Sequence, residues 1–109
     1  MYSNGRGVPQ NYTQAVTWYK KAAEQGHAVA QSNLGFMYAM GKGIPQNYKI
    51  AYILFNLAAS NGLNDTENRD KVLTKLSPAT IEDAQRITLQ LYNSKNFAVD
   101  LRKLLNSQK

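Results

Sequence analysis

The chain contains no cysteine and only one histidine, His27. The lack of cysteine excludes disulfide bonds and thiolate metal sites, and it is compatible with both reducing and oxidising compartments. His27 follows Gly26 in the predicted connection between two helices, and no group of histidines or carboxylates clusters around it at metal-ligand spacing. We therefore expect neither a metal site nor any other cofactor.

Long apolar runs are also absent. No run approaches the ~18 residues that cross a bilayer, and the first residues lack the charged stretch, apolar core and cleavage site of a signal peptide. The 109 residues are 43% hydrophobic and 18% charged, which is ordinary for a globular domain. We predict a soluble, folded chain with no transmembrane segment, either one domain or a part of one.

Groups suited to catalysis are few and scattered. Glu82 and Asp83 are adjacent on a predicted helix, so their side chains point about 100° apart and cannot form a facing acid/base pair. Ser32, Ser60 and Ser77 have no basic or acidic companion that indicates a nucleophile. The sequence therefore predicts that the chain is not an enzyme.

The excess of basic residues is spread along the chain. The net charge is +6, with 13 lysines and arginines against 7 acidic residues, but no cluster exceeds pairs such as Lys20-Lys21 and Arg102-Lys103. A nucleic-acid interface usually shows a concentrated basic stripe with interleaved aromatic residues. The distribution of charge argues against nucleic acid as a partner.

The sequence contains an internal repeat. The stretch NGRGVPQNY at residues 4 to 12 returns as MGKGIPQNY at residues 40 to 48, and twelve of the 26 residues from 1 to 26 are identical to those 36 positions later. A fixed period of this length is typical of stacked helical repeats, in which each unit buries its apolar face against its neighbours.

Each copy has the pattern of an amphipathic helix. Apolar residues recur at helical spacing over 12–23 and 48–59. Asn11 and Asn47 are the predicted N-caps, and Gly26 and Gly62 end the two helices. Residues 28–40 carry the same periodicity and form the partner helix, in which Gly35 allows a close helix contact. The glycines at 41 and 43 turn the chain between the two helices, and Ile44 anchors this turn in the core.

The repeat pattern fades after Gly62. We predict a helix over 65–76, a second that begins at Ser77-Pro78 and extends to Tyr92, and a short third helix after Asn96 that uses Phe97, Val99 and the following leucines. These helices are interpreted as a C-terminal cap.

At the residues AVAQSNLGFMYAMGKGIPQNYKIA (28 to 51) and AASNG (58 to 62) the chain resembles the Sel-one-like repeats, a branch of the tetratricopeptide-type helical hairpins. The resemblance implies an all-α fold, an α/α superhelical solenoid of stacked antiparallel hairpins with C-terminal capping helices. Residues 1–62 would form the repeats and 63–109 the cap. Since Met1-Tyr2 aligns with Met37-Tyr38, inside a helix, we expect the first repeat to be truncated.

The resemblance also implies a function. Stacked hairpins present a concave face, lined by the first helix of each pair, that binds proteins or peptides. The expected role is an adaptor or scaffold, often bacterial, and periplasmic or secreted if the chain derives from an exported protein. Two alternatives stay open: a regulatory or catalytic cell-envelope protein that acts on cell-wall material, and a purely structural cap of a longer array.

The candidates for the binding face are the residues of the first helix of each pair that are not assigned to its core stripe. On the helix over 28–40, the core takes Leu34, Met37 and Tyr38. The candidates that remain are Val29, Ser32, Asn33, Phe36 and Met40. If the 36-residue register continues, Asn68, Arg69, Val72 and Lys75 extend the face. Phe36 and Met40 are the sharpest candidates because they are apolar and have no core role, although a neighbouring repeat could also cover them.

Overall fold

The computed structural model describes residues 9–63 and 67–107, with side chains from Tyr12 onward. Within these residues the fold is entirely helical, which confirms the predicted class. The helices are α1 (Pro9–Glu24), α2 (Ala28–Met40), α3 (Tyr48–Ser60), α4 (Glu67–Leu73), α5 (Pro78–Tyr92) and α6 (Phe97–Asn106). Helix α3 contacts α2, α4 and α5, and α6 returns to contact α1 and α5.

Three side chains cap helix N-termini by accepting a backbone hydrogen bond. Asn47 Oδ1 accepts from the Ile50 amide at 3.0 Å and Ser77 Oγ accepts from the Thr80 amide at 3.1 Å. Both caps are confirmed predictions. His27 Nδ1 accepts from the Ala30 amide at 3.3 Å, so the single histidine starts α2.

The predicted N-cap at Asn11 is wrong, because α1 already begins at Pro9. Proline suits the first turn of a helix, yet the equivalent Pro45 lies outside α3. In the second copy, hydrogen bonds to α2 keep the chain that precedes α3 extended. The backbone N–H of Asn47 donates to the Tyr38 carbonyl at 2.9 Å, and Gln46 Nε2 donates to the Ala39 carbonyl at 2.9 Å. In the first copy, the positions equivalent to Tyr38 and Ala39 lie outside the described residues.

Of the three predicted C-terminal helices, α5 and α6 have the predicted starts and α5 the predicted end, whereas α4 ends earlier than predicted. Helix α4 ends at Leu73, and the chain then turns through backbone bonds from residues 74, 75 and 76 to the carbonyls three positions earlier. Pro78 disfavours helical backbone at Ser77, the residue before it, so the preceding helix ends before this point. Tyr92 and Val99, which the pattern placed on apolar stripes, are exposed. Asp83 of α5 pairs with Lys49 of α3 and with Arg86.

The loop after α2 packs against the start of α1. Gly41 and Gly43 both have positive φ, and a Cβ on Gly43 would lie 2.7 Å from the carbonyl carbon of Tyr12. Ile44 packs partly buried against the core. The two glycines of this turn therefore have a physical reason: the turn needs left-handed backbone, and α1 leaves no room for a side chain at Gly43.

Helix α3 is the most enclosed element. Gln14, Thr17 and Lys21 of α1 are exposed, whereas their counterparts 36 positions later, Ile50, Ile53 and Leu57 of α3, are buried. Trp18 is 62% exposed, and its counterpart Leu54 is fully buried. Leu57 lines a small cavity together with Phe97, the first residue of α6. The two repeats thus share a pattern but have different surroundings.

Two contacts fix α2 within the hairpins. A Cβ on Gly35 would lie 2.9 Å from Cε1 of Phe55 and 3.2 Å from the carbonyl oxygen of Ala51, so the predicted close approach of α2 and α3 is confirmed. Gln31 is fully buried: its Nε2 donates to the Ala23 carbonyl at 3.1 Å, and its Oε1 accepts from Asn61 Nδ2 at 3.0 Å. This amide links α1, α2 and the end of α3.

The Tyr38 hydroxyl does not reach the surface. The side chain is buried, and its oxygen has no hydrogen-bond partner among the described residues. Burial raises the pKa of Tyr38 to about 12, because a phenolate loses hydration inside the protein. The fold therefore favours the neutral hydroxyl.

The Gly35→Ala variant tests the helix contact. Alanine ordinarily stabilises a helix interior by up to ~1 kcal/mol relative to glycine. Here we expect a loss of about 1–3 kcal/mol in the free energy of unfolding, because the aromatic ring and the backbone carbonyl cannot both move away. Urea unfolding measures the change, with Ser32→Ala on the same helix as the control. Equal or greater stability in Gly35→Ala would show that the two helices separate readily.

The Tyr38→Phe variant tests the buried hydroxyl. The raised pKa contributes stability that is complete below about pH 10 and is lost as the pH rises towards about 12. We expect the variant to lose less stability than the wild type between about pH 9 and 11, and to be at least as stable near pH 7, since an unpaired buried hydroxyl is removed. Parallel urea titrations measure both effects, with Tyr92→Phe as the exposed control. Identical pH dependence of wild type and Tyr38→Phe would contradict this account.

Candidate functional site

A groove lies between α2 and α4, and we call it the α2–α4 groove. Its cavity has a volume of about 230 Å³. It is lined by Phe36, Ala39, Met40, Tyr48, Phe55, Asn68, Lys71, Val72 and Lys75. Phe55 and Val72 are almost completely buried and form its floor, so the surface inside the groove is mainly apolar.

Helix α2 contributes an apolar wall. Phe36 is 43% exposed and Met40 is 53% exposed, and both border the groove. Because they lie four residues apart, they share one face of the helix, and Leu34 and Tyr38 occupy the opposite, buried face. The result is two large apolar side chains beside an apolar cavity, an arrangement typical of binding surfaces.

Helix α4 and the turn after it contribute a basic wall. Lys71 and Lys75 are exposed and border the groove, and no carboxylate lines it. Lys71 Nζ lies 3.7 Å from Glu67 Oε2, with both side chains more than 70% exposed. An ion pair so exposed is weak and leaves the lysine available. The α2 wall, by contrast, contains no charged residue between Ala28 and Met40.

The structure brings together only part of the predicted binding face. Phe36, Met40, Asn68 and Lys75 line the α2–α4 groove. Val29 is exposed and Ser32 and Asn33 are half-buried elsewhere on α2, and these three do not line the groove. Val72, expected as a surface residue, is instead a buried part of the floor.

Arg69 lies at a second cavity, on the other side of α4. This cavity has a volume of about 650 Å³ between α3, α4 and α5, and Asn56, Ser60, Leu73 and Tyr92 are among its lining residues. Within it Gln85 Nε2 donates to the Tyr52 hydroxyl at 3.1 Å. Arg69 Nε is 3.8 Å from Asp70 Oδ1, a weak contact. Consecutive residues 68 and 69 therefore point to different cavities, which the 36-residue register did not predict.

Several residues of the α2–α4 groove were not predicted from the sequence. Lys71 lies between Asn68 and Lys75 at helical spacing, so the periodicity of α4 could have identified it. Tyr48 and Phe55 were predicted only as part of the apolar face of the helix over 48–59, and Ala39 had no predicted role. Their position at the groove follows from where α4 packs, and no local pattern encodes that position.

The described ranges contain neither a group of side chains suited to metal binding nor a helix that could span a membrane. Within 9–63 and 67–107, histidine and acidic side chains form no group of three or more that could hold a metal ion. His27 serves as a helix cap. None of the described helices combines the length and the apolar character needed to cross a membrane.

Comparison with known proteins identifies the repeat. The family description Sel1 repeat matches residues 1–27 and 28–63, which together make up more than half of the chain. No curated protein and no solved structure gives a significant match. The second match contains α2, the turn with Gly41 and Gly43, and α3, the hairpin that carries the apolar wall and Phe55 of the groove floor. The chain belongs to the Sel1 repeat family.

Proposed function

We propose that this protein is an adaptor or scaffold that binds a segment of a partner protein in the α2–α4 groove. Sel1 repeats are non-catalytic modules that generally mediate protein–protein interactions. The observation that supports this particular face is the exposure of Phe36 and Met40 beside a cavity with an apolar floor.

The energetics favour a partner that inserts an apolar side chain. Exposed apolar surface gains roughly 25 cal/mol per Å² when a partner covers it. Binding energy concentrates where a bulky side chain enters a preformed pocket, while the surrounding contacts exclude water. Phe55 and Val72 are already packed into the core, so the floor needs no rearrangement to receive such a side chain. The groove is therefore preorganised for one apolar anchor.

The remaining candidates extend the proposed face. Helix α2 is 13 residues long, which corresponds to roughly 20 Å at the rise of an α-helix. Val29, Ser32 and Asn33 lie along it beyond the groove and would contact the flanking residues of a bound segment. Asn68 and Lys75 would contact it from the opposite wall. Arg69 would take part only if the partner also reaches the second cavity.

A glutamate at position 36 tests the proposal. Phe36→Glu places a charge at the mouth of an apolar cavity, so a partner's anchor would lose its contact and meet a charge that cannot be buried. Wild type and variant are used as baits in lysate capture with quantitative mass spectrometry, and a protein enriched by the wild type is purified and titrated. We expect Phe36→Glu to weaken its binding at least tenfold, about 1.4 kcal/mol.

Val99→Glu is the matched control, because Val99 is an apolar residue of α6 with nearly the same exposure, 42%. Both variants should unfold within about 0.5 kcal/mol of the wild type. If Phe36→Glu and Val99→Glu bind every captured protein as tightly as the wild type, the groove is not the binding face.

A further inference from the structure

We propose that the segment bound in the α2–α4 groove is amphipathic, with a bulky apolar anchor and with aspartate or glutamate on the edge that faces α4. This inference rests on the proposed function and adds the chemistry of the partner. Its basis is the asymmetry of the groove, which has one uncharged apolar wall and one basic wall.

Among the described residues, no carboxylate lines the groove to neutralise the lysines of the basic wall. Lys75 forms no ion pair with any carboxylate in the described part of the chain, and Lys71 has only the exposed contact with Glu67. Some other cations have closer partners: Lys49 and Arg86 pair with Asp83, and Arg102 Nη2 donates to Glu24 at 2.9 Å. Lys75, which has no ion pair within 9–63 and 67–107, and Lys71, which has one weak exposed contact, therefore both lie beside the apolar cavity that Phe36 and Met40 border.

The two walls would have different roles in binding. The apolar wall and the floor supply affinity, because they remove apolar surface from water. The lysines select the charge of the partner and its orientation, since opposite charges across an interface steer association and like charges disfavour it. A basic segment would place like charges beside Lys71 and Lys75. An acidic residue about three or four positions from the anchor in a bound helix would reach them.

A protein segment explains these features better than an anionic lipid surface. Recognition of anionic lipids usually involves clusters of about four to eight basic residues, and only two lysines line this groove. The groove is also a concave cavity with a buried floor, which fits a single side chain. A lipid surface is included below as an outcome that would overturn the proposal.

The experiment selects random displayed peptides, about a dozen residues long, on the immobilised wild-type chain. Peptides that also bind the Phe36→Glu variant are then removed. We expect the retained peptides to combine a phenylalanine, leucine, methionine or tryptophan with at least a twofold excess of aspartate and glutamate over the unselected library. Their affinity should fall by at least fivefold between about 50 and 500 mM NaCl, because exposed charges are screened.

A charge reversal makes the test specific. In the Lys71→Glu/Lys75→Glu double variant, a selected acidic peptide should bind at least tenfold more weakly, and the same peptide with lysine in place of its acidic residues should bind the variant more tightly than the wild type. Lys20→Glu/Lys21→Glu on α1 is the matched control, because it changes the net charge equally without altering the groove. Circular dichroism and unfolding confirm that each variant is folded.

The outcomes separate the two proposals. Peptides that depend on Phe36 but carry no excess of acidic residues would overturn the acidic preference and leave the groove as the binding face. No enrichment that depends on Phe36 would overturn both proposals. Equal losses in the two double variants would also overturn the acidic preference, since net charge would then account for the effect. Phe36-dependent binding to phosphatidylglycerol vesicles without peptide enrichment would assign the face to lipid and refute the proposal.

Discussion

The contact between α2 and α3 at Gly35 is the constraint on which the rest of the structure depends. The backbone of α2 lies against the ring of Phe55 and the carbonyl of Ala51, with no space for a methyl group. This approach places the buried stripe of α2 on α3 and directs Phe36, the next residue, away from it. The same Phe55 ring forms the floor of the α2–α4 groove. Core packing and the geometry of the candidate site therefore share one contact.

The two repeats show how surroundings change the residues that a pattern can accept. In the second copy, the turn glycines Gly41 and Gly43 have left-handed backbone, and Gly43 also has a close neighbour in α1. The outer faces differ: α1 has polar residues where α3 has isoleucine and leucine. Helix α3 lies among α2, α4 and α5, with Leu57 beside the first residue of α6. Apolar residues at those positions are stable only because further helices cover them.

The candidate site arises where the repeat pattern weakens. Helix α4 is only seven residues long, and it separates the α2–α4 groove from the larger cavity that Arg69 lines. In the 36-residue register α4 is the counterpart of α2, and it packs against α3 as α2 packs against α1, but as a shorter helix. The basic character of one wall comes from α4 and its following turn, and the apolar character of the other comes from α2. The proposed chemistry of the partner therefore depends both on the regular α2–α3 hairpin and on the short helix α4 that follows it.

The sequence by itself determined the class of fold, the hairpin of α2 and α3, the Asn47 and Ser77 caps, and the exposure of Phe36 and Met40. These features depend on local spacing and on residue chemistry that repeats 36 positions apart. Only the tertiary structure decided that Asn68 and Lys75 face Phe36 while Arg69 does not, that Gln31 is buried as a link between helices, and that Tyr38 keeps its hydroxyl from solvent. The physical reason is that helical periodicity defines the faces of one helix, whereas the contacts between helices depend on where each chain segment ends and on which neighbour covers it.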